Sequence, residues 1–217
     1  MNIEQARFNM VEQQIRPWDV LDPNVLNLLF EVKREEFVPP AYRTLAFADL
    51  ELPIGQGQTM LPPRVEARLL QGLSVQKTDR VLEIGTGTGY MAALLAACAA
   101  EVVTVEQSAE LAATAKANLK AAGVMNVTVE VGDGLNGWSA GAPYDVILVS
   151  GAMVDVPDAL LQQLRVGGRM AVIVGYEPVM TAQIITCTEE GLFSAVDFFE
   201  TVVAPLQGVP TEPAFVF

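Results

Sequence analysis

The sequence predicts a Rossmann-like α/β fold, a mostly parallel, twisted sheet with helices on both faces. Three observations predict it. Short apolar runs alternate with helix-patterned segments from Val81 to Val174, which is the pattern of βαβ units. The first run, Val81-Leu82-Glu83-Ile84, breaks into Gly85-Thr86-Gly87-Thr88-Gly89 and then, through Tyr90, into the alanine-rich stretch Met91 to Ala100. That order reads as buried strand, tight turn and helix. Small or acidic residues stand where the strands end, at Glu106, Asp133 and Ser150-Gly151. Ligands of such sheets bind beyond the carboxyl ends of the strands, where the strand order reverses.

Composition narrows the class. At 217 residues the chain suits one domain with a sizeable core. With 51% hydrophobic and 18% charged residues it is excluded from the disordered class. A net charge of −13 disfavours nonspecific binding to nucleic acid or to an anionic membrane, so neither is expected as a partner. Cys98 and Cys187 lie in apolar surroundings and form no metal-ligand cluster; they read as reduced core residues, and no metal is expected. Met1-Asn2-Ile3-Glu4-Gln5 carries no signal-peptide pattern, and no apolar run is long enough to span a membrane. The expectation is a soluble, cytoplasmic protein of one domain, 1–217.

Within that domain, residues 1–50 form a helical preface. Ile3, Ala6, Met10 and Val11 fall near helical spacing. Asp22-Pro23 is an N-cap followed by proline at the first helical position, and Val25, Leu26, Leu28, Leu29 and Val32 give an apolar stripe that Pro39-Pro40 ends. Residues 51–78 hold a loop and a helix. The glycines and prolines of Leu52 to Pro63 exclude a regular element there, and Pro62-Pro63 starts a helix carrying Val65, Ala67, Leu69, Leu70 and Leu73. The loop is either a cover for the ligand or a surface connection. Residues 79–175 are the binding core. After the first βα unit come a strand at Val102–Val105, a helix from Ser108 to Ala122 stopped by Gly123, and strands at Asn126–Val131 and Tyr144–Ser150. A helix from Pro157 through Leu164, a turn at Gly167-Gly168 and a strand at Met170–Val174 complete it. In 176–217, Ala182–Thr188 and Phe198–Ala204 flank Glu189-Glu190-Gly191, which suggests a closing antiparallel pair.

The glycine turn also discriminates between ligands. A dinucleotide fingerprint places its third glycine five residues after the first; here that position is Tyr90, and the glycine comes one residue early, at Gly89. Glu83 adds a carboxylate beside the turn, which favours a cationic ligand portion over a pyrophosphate. Glu106, 21 residues after Gly85, is placed to accept from two ribose hydroxyls. A nucleoside with a positive tail fits, and S-adenosylmethionine (SAM) is such a ligand. Asp133 either accepts from the adenine amine or closes an Asx turn.

The motifs Phe37-Val38-Pro39, Leu52 to Thr59, Val81 to Tyr90, Val105-Glu106, Gly132-Asp133-Gly134, Gly137-Trp138, Ala142-Pro143-Tyr144-Asp145 and Gly167-Gly168-Arg169 occur in that order. Together they resemble the protein-L-isoaspartate O-methyltransferases, class I SAM-dependent methyltransferases that repair isomerised aspartyl residues in proteins. The resemblance covers roughly residues 35 to 175. It implies SAM as cofactor, held by Glu83, Gly85, Gly87, Glu106, Asp133 and Gly134, with Ile84, Thr86, Gly89, Tyr90, Gln107 and Ser150 beside them. It also implies a substrate-side loop, Gln58, Thr59, Met60 and Leu61, that meets a protein or peptide bearing isoaspartyl residues. One departure stands in that loop: where the family usually has an active-site serine, this chain has Leu61. It also contains no histidine, although the family often has one shortly after that serine. Leucine donates no hydrogen bond to a carboxylate, and one lost charge-assisted bond is worth ~1.5–3 kcal/mol, so Thr59 or a backbone N–H is expected to substitute. The missing histidine matters less, because an isoaspartyl carboxylate is already an anion at pH 7 and catalysis is chiefly alignment. A diverged methyltransferase with a less polar, small-molecule acceptor and a SAM-binding protein without turnover are the alternatives.

Overall fold

Residues 2–210 are described by the computed structural model. The sheet has the order β5-β4-β3-β6-β7-β8-β9, with β3 at Arg80–Ile84, β4 at Glu101–Glu106, β5 at Val127–Val131, β6 at Tyr144–Met153, β7 at Leu164–Tyr176, β8 at Val179–Glu189 and β9 at Leu192–Thr201. The first five pair in parallel, and β8 and β9 add an antiparallel closing pair turned at Glu190-Gly191. This is the Rossmann-like arrangement expected.

Both faces of the central strands are apolar, as parallel sheets require. On one face Val81, Val102, Val146 and Leu148 join a core shared with helices α2 (Pro23–Glu31), α3 (Pro63–Leu73), α4 (Tyr90–Cys98) and α5 (Ala109–Ala121). Met10, Val11 and Ile15 of the N-terminal layer belong to the same core. That layer is helix α1 (Ile3–Asn9), capped by Asn2 and continued by a wider π-helical turn at Met10–Ile15. Burial of two ion pairs, Arg7–Glu35 and Arg34–Glu66, attaches it and the segment after α2 to the core. On the other face Leu82, Ile84, Ile147 and Val149 pack against Leu160, Leu164 and Tyr144.

Several sequence expectations change. Leu52–Pro63 is not irregular: β1 (Leu52–Gly55) and β2 (Gln58–Met60) form an antiparallel hairpin of their own. Its proline sits in a two-stranded ribbon with no central ladder to interrupt, and Gln56 and Gly57 turn it with φ of 54° and 70°. The helix after Pro157 does not reach Leu164. It is α6, Asp158–Leu161, and Leu164 already pairs with Tyr144 in the sheet. Gln163 stops it, since its side chain ties the Trp138 N–H to the carbonyls of Asn136 and Ala159. Gly167-Gly168 is not a turn between elements but an irregularity inside β7. A Cβ on Gly168 would come within 2.8 Å of the Arg165 carbonyl oxygen. The closing antiparallel pair of 176–217 is present, but its second strand runs Leu192–Thr201 directly after the Glu190-Gly191 turn, six residues earlier than the expected Phe198–Ala204, and residues 202–204 are not strand; residues 211–217 lie outside the described residues.

Candidate active site

Strand order reverses between β3 and β6, so the crevice opens beyond Ile84 and Ser150. Two cavities flank Gly85 there. Gly85 has φ of 91°, and a Cβ on it would meet Leu206 Cδ2 at 2.9 Å. The turn conformation therefore needs glycine, and the Leu206 side chain lies directly over it.

The first cavity is lined by Ile84, Val105, Glu106, Gln107, Asp133, Gly134, Gln58 and Leu206. Glu106 organises it. Its Oε2 accepts from the Gly87 N–H and its Oε1 from the Ser108 N–H, both at 2.9 Å. A carboxylate has about four acceptor sites, so two are left for a pair of hydroxyls. The apolar walls suit a flat heterocycle. Asp133 is exposed, and its Oδ1 accepts from the Leu135 N–H at 2.9 Å, so it does close an Asx turn. Nothing in that bond prevents it from facing a ligand.

The second cavity lies under the β1–β2 hairpin. Thr59, Met60, Leu61, Thr86, Gly87, Tyr90 and Ser150 line it, with Ile54, Glu66 and Glu83. Glu83 is fully buried and accepts from Thr104 Oγ1 at 2.7 Å and Ser150 Oγ at 2.9 Å. Burial pushes its carboxyl up to about 8, against those two hydroxyl bonds. Burial thus works against the standing negative charge expected beside the turn and favours the neutral acid in the protein by itself. A cation in the cavity would reverse that preference.

Glu66 lies on the buried face of α3 and pairs with Arg34; burial pushes it up to about 7, with Arg34 pulling the other way. Arg34 also donates to the carbonyls of Leu61 at 2.8 Å and Ala46 at 3.1 Å, and its guanidinium stands 5.1 Å from the centre of the Tyr90 ring. One buried cation thus sets the position of Leu61, α3 and the start of α4 together. Thr59 does not point a free hydroxyl into the site: it donates to Glu51 Oε2 at 3.0 Å. The other oxygen of Glu51 accepts from the Ala204 N–H at 2.9 Å, so Glu51 fastens the hairpin to the segment lying over Gly85.

Of the residues singled out in the sequence, Glu106, Gln107, Asp133 and Gly134 converge on one side of Gly85, and Thr59, Leu61, Glu83, Tyr90 and Ser150 on the other. The hairpin borders both cavities, which makes it a cover rather than a surface connection. Gly89 enters neither wall; it caps α4 and packs on Leu119 of α5. Arg34, Glu51, Glu66 and Leu206 were not foreseen. Glu66 carried a signal, because it stands three, four and seven residues before Leu69, Leu70 and Leu73 and so shares their buried stripe.

Among the described residues no group of His, Cys, Asp or Glu is arranged to hold a metal ion, and no helix is long and apolar enough to cross a membrane.

Comparison with known proteins agrees with this architecture. The family model described as protein-L-isoaspartate(D-aspartate) O-methyltransferase matches residues 5–208. A protein-L-isoaspartate O-methyltransferase of Koribacter versatilis is 43% identical over 202 residues, covering 93% of this chain and 90% of the relative. One from Picosynechococcus is 48% identical over 169 residues, covering 78% of this chain and 76% of its own. A solved protein-L-isoaspartate O-methyltransferase superposes with a TM-score of 0.80 at 28% identity, over 95% of this chain and 66% of its own. A Plasmodium falciparum structure, solved with S-adenosyl-L-homocysteine, has the same TM-score at 17% identity, covering 95% of this chain and 99% of its own, which shows a shared fold. This chain belongs to the protein-L-isoaspartate (D-aspartate) O-methyltransferase family and is a SAM-dependent methyltransferase.

Proposed function

We propose that the protein transfers the methyl group of SAM to the free α-carboxylate of isoaspartyl residues in damaged proteins, the group left when the peptide bond has moved to the side-chain carboxyl. The observation that carries this reading is the span of the family match, residues 5–208, which takes in the β1–β2 hairpin and the segment over Gly85 as well as the nucleotide-binding core. The relatives it matches along most of their length bear that activity in their names.

The first cavity suits the adenosine of SAM, with Glu106 on the ribose and Asp133 and Gln107 toward the adenine. The methionine end would pass Gly85 and Gly87 toward Glu83, whose ionisation the sulfonium and ammonium favour. The acceptor carboxylate attacks the methyl carbon, the carbon–sulfur bond breaks toward sulfur, and S-adenosylhomocysteine leaves. The nucleophile is already an anion at neutral pH, so no base is needed and the protein's part is alignment and exclusion of water.

A second reading, a less polar acceptor, has one observation in its favour: Leu61 is buried in the cavity wall beside Ile54 and Met60. Transfer from labelled SAM to one peptide in isoaspartyl and normal aspartyl forms tests both. Label in the isoaspartyl form alone supports repair. Label in neither, with SAM binding demonstrated in the same sample, sinks it.

A further inference from the structure

An acceptor carboxylate entering the second cavity needs a hydrogen-bond donor, and most side chains of the wall offer none. Ile54, Met60, Leu61 and Met91 are apolar, and Glu66 and Glu83 are acids. The hydroxyl of Thr59 is given to Glu51, that of Ser150 to Glu83, and Thr86 shares its own with Thr104 at 2.6 Å. Pro62 and Pro63, which follow Leu61, have no N–H. Thr88 and Tyr90 are the hydroxyl side chains left in this wall. Thr88 belongs to the glycine turn, where its carbonyl is tied to Asn118. Tyr90 is 2% exposed, and its hydroxyl oxygen has no hydrogen-bond partner.

Such a group is rare in a folded protein and calls for a cause. The ring is not loose: it packs against Phe37 at 5.6 Å between centroids and against the Arg34 guanidinium. Its phenol is held well above the usual range by burial, so it keeps its proton at neutral pH. A rigid, protonated, unpartnered donor beside Leu61 is the arrangement that an incoming anion would complete.

We propose that the Tyr90 hydroxyl is the donor that receives the acceptor's carboxylate in this protein, which makes Tyr90 an acceptor-binding residue rather than a cofactor-binding one. The inference rests on the isoaspartyl reading of the site. One carboxylate oxygen accepts the Tyr90 hydrogen bond while the other faces the methyl carbon, so the phenol positions the nucleophile without taking part in proton transfer.

The test is Tyr90→Phe, which removes one oxygen and keeps the ring between Phe37 and Arg34. Unchanged wild-type transfer to the isoaspartyl peptide comes first, because its failure overturns the isoaspartyl reading and this inference together. With that transfer present, the variant is expected to lose roughly ten- to a hundredfold in kcat/KM for the peptide, while its Kd for SAM stays within about twofold and its Tm is equal or higher. A kcat/KM within about threefold of wild type overturns the inference alone, as does a loss matched by an equal loss of SAM affinity. Should the variant fail to fold, 3-fluorotyrosine incorporated at position 90 serves instead. Its fluorine resonance is expected to shift when isoaspartyl peptide joins the complex with S-adenosylhomocysteine and to stay put with the aspartyl peptide; no shift with either overturns the proposal.

Discussion

The two cavities beside Gly85 are built by different means. On the nucleoside side, Glu106 is satisfied by main-chain N–H groups of Gly87 and Ser108, the first in the turn after β3 and the second two residues along the chain. On the acceptor side, Glu83 is satisfied by hydroxyls of Thr104 and Ser150, and Glu66 by the guanidinium of Arg34, partners 21, 67 and 32 residues away. Main-chain N–H groups are present whatever the side chains, so Glu106 needs only the turn at Ser108 and the pairing of β3 with β4, which brings the Gly87 turn, 19 residues back, beside it. Carboxylates held by distant side chains are specified only by the whole fold, and their burial makes them sensitive to the loss of any one partner.

That contrast predicts that the acceptor side breaks harder. Arg34→Met leaves Glu66 buried without its cation, and breaking a buried pair from one side typically costs about 3–5 kcal/mol. For a chain of this length that is on the order of 10 °C in Tm. Arg34→Met/Glu66→Leu together should recover most of the loss, because the charge that lacked a partner is gone. Thermal unfolding of the single and double variants checks this. Equal losses in both would mean that Arg34 acts through its bonds to the Leu61 and Ala46 carbonyls instead.

Glu106→Ala should act on binding more than on folding. It removes the acceptor of two backbone N–H groups and the proposed partner of the ribose hydroxyls, and charge-assisted bonds of this kind are worth ~1.5–3 kcal/mol. The Kd for SAM is expected to rise by about a hundredfold, measured by calorimetry. A change below about fivefold would remove Glu106 from the cofactor site.

A smaller effect follows from the raised acids. Burial raises Glu66 and Glu83 to about 7 and about 8, from the 4.5 of an ordinary carboxyl, so between pH 4.5 and about 8 the folded state binds more protons than the unfolded one. Their contribution to stability is therefore complete below about pH 4.5 and is lost as pH rises through 7 and 8. Between pH 6 and 9 stability should fall, with Glu83→Gln flattening the profile. Saturating SAM should flatten it too, since a bound cation favours ionised Glu83. A wild-type profile that stays flat across this window would mean that both acids are ionised throughout.

The same division accounts for what was legible in the sequence. The strands, the glycine turn and Glu106 follow from local signals: periodicity, three glycines, and an acid at a strand end. The β1–β2 hairpin was hidden because its glycines and prolines mark a break in any regular element, although a two-stranded ribbon tolerates them. Arg34 and Glu51 were invisible for another reason. Each acts by joining segments that only the finished fold brings together, Arg34 to Leu61 and Glu66, and Glu51 to Thr59 and Ala204. The burial of Glu83 belongs to the same class, because Ser150 reaches it only once β3 and β6 pair.

The smallest effect is expected at the residue where the departure from the family stands out most in the sequence. Were Leu61 the reason for weak activity, Leu61→Ser would restore a donor and raise transfer to isoaspartyl peptide tenfold or more. The cavity argues otherwise. Leu61 is 5% exposed, its carbonyl is already fixed by Arg34, and Tyr90 offers a donor in the same wall. A serine there gives up apolar burial of about 1.5–3 kcal/mol and adds a second hydroxyl where one donor is in place. Assayed well below the Tm, kcat/KM should therefore change by less than about threefold. In the Tyr90→Phe background the same substitution should matter, recovering part of the lost activity, because the donor it brings then has no competitor. Equal effects of Leu61→Ser in the two backgrounds would show that positions 61 and 90 do not serve the same carboxylate.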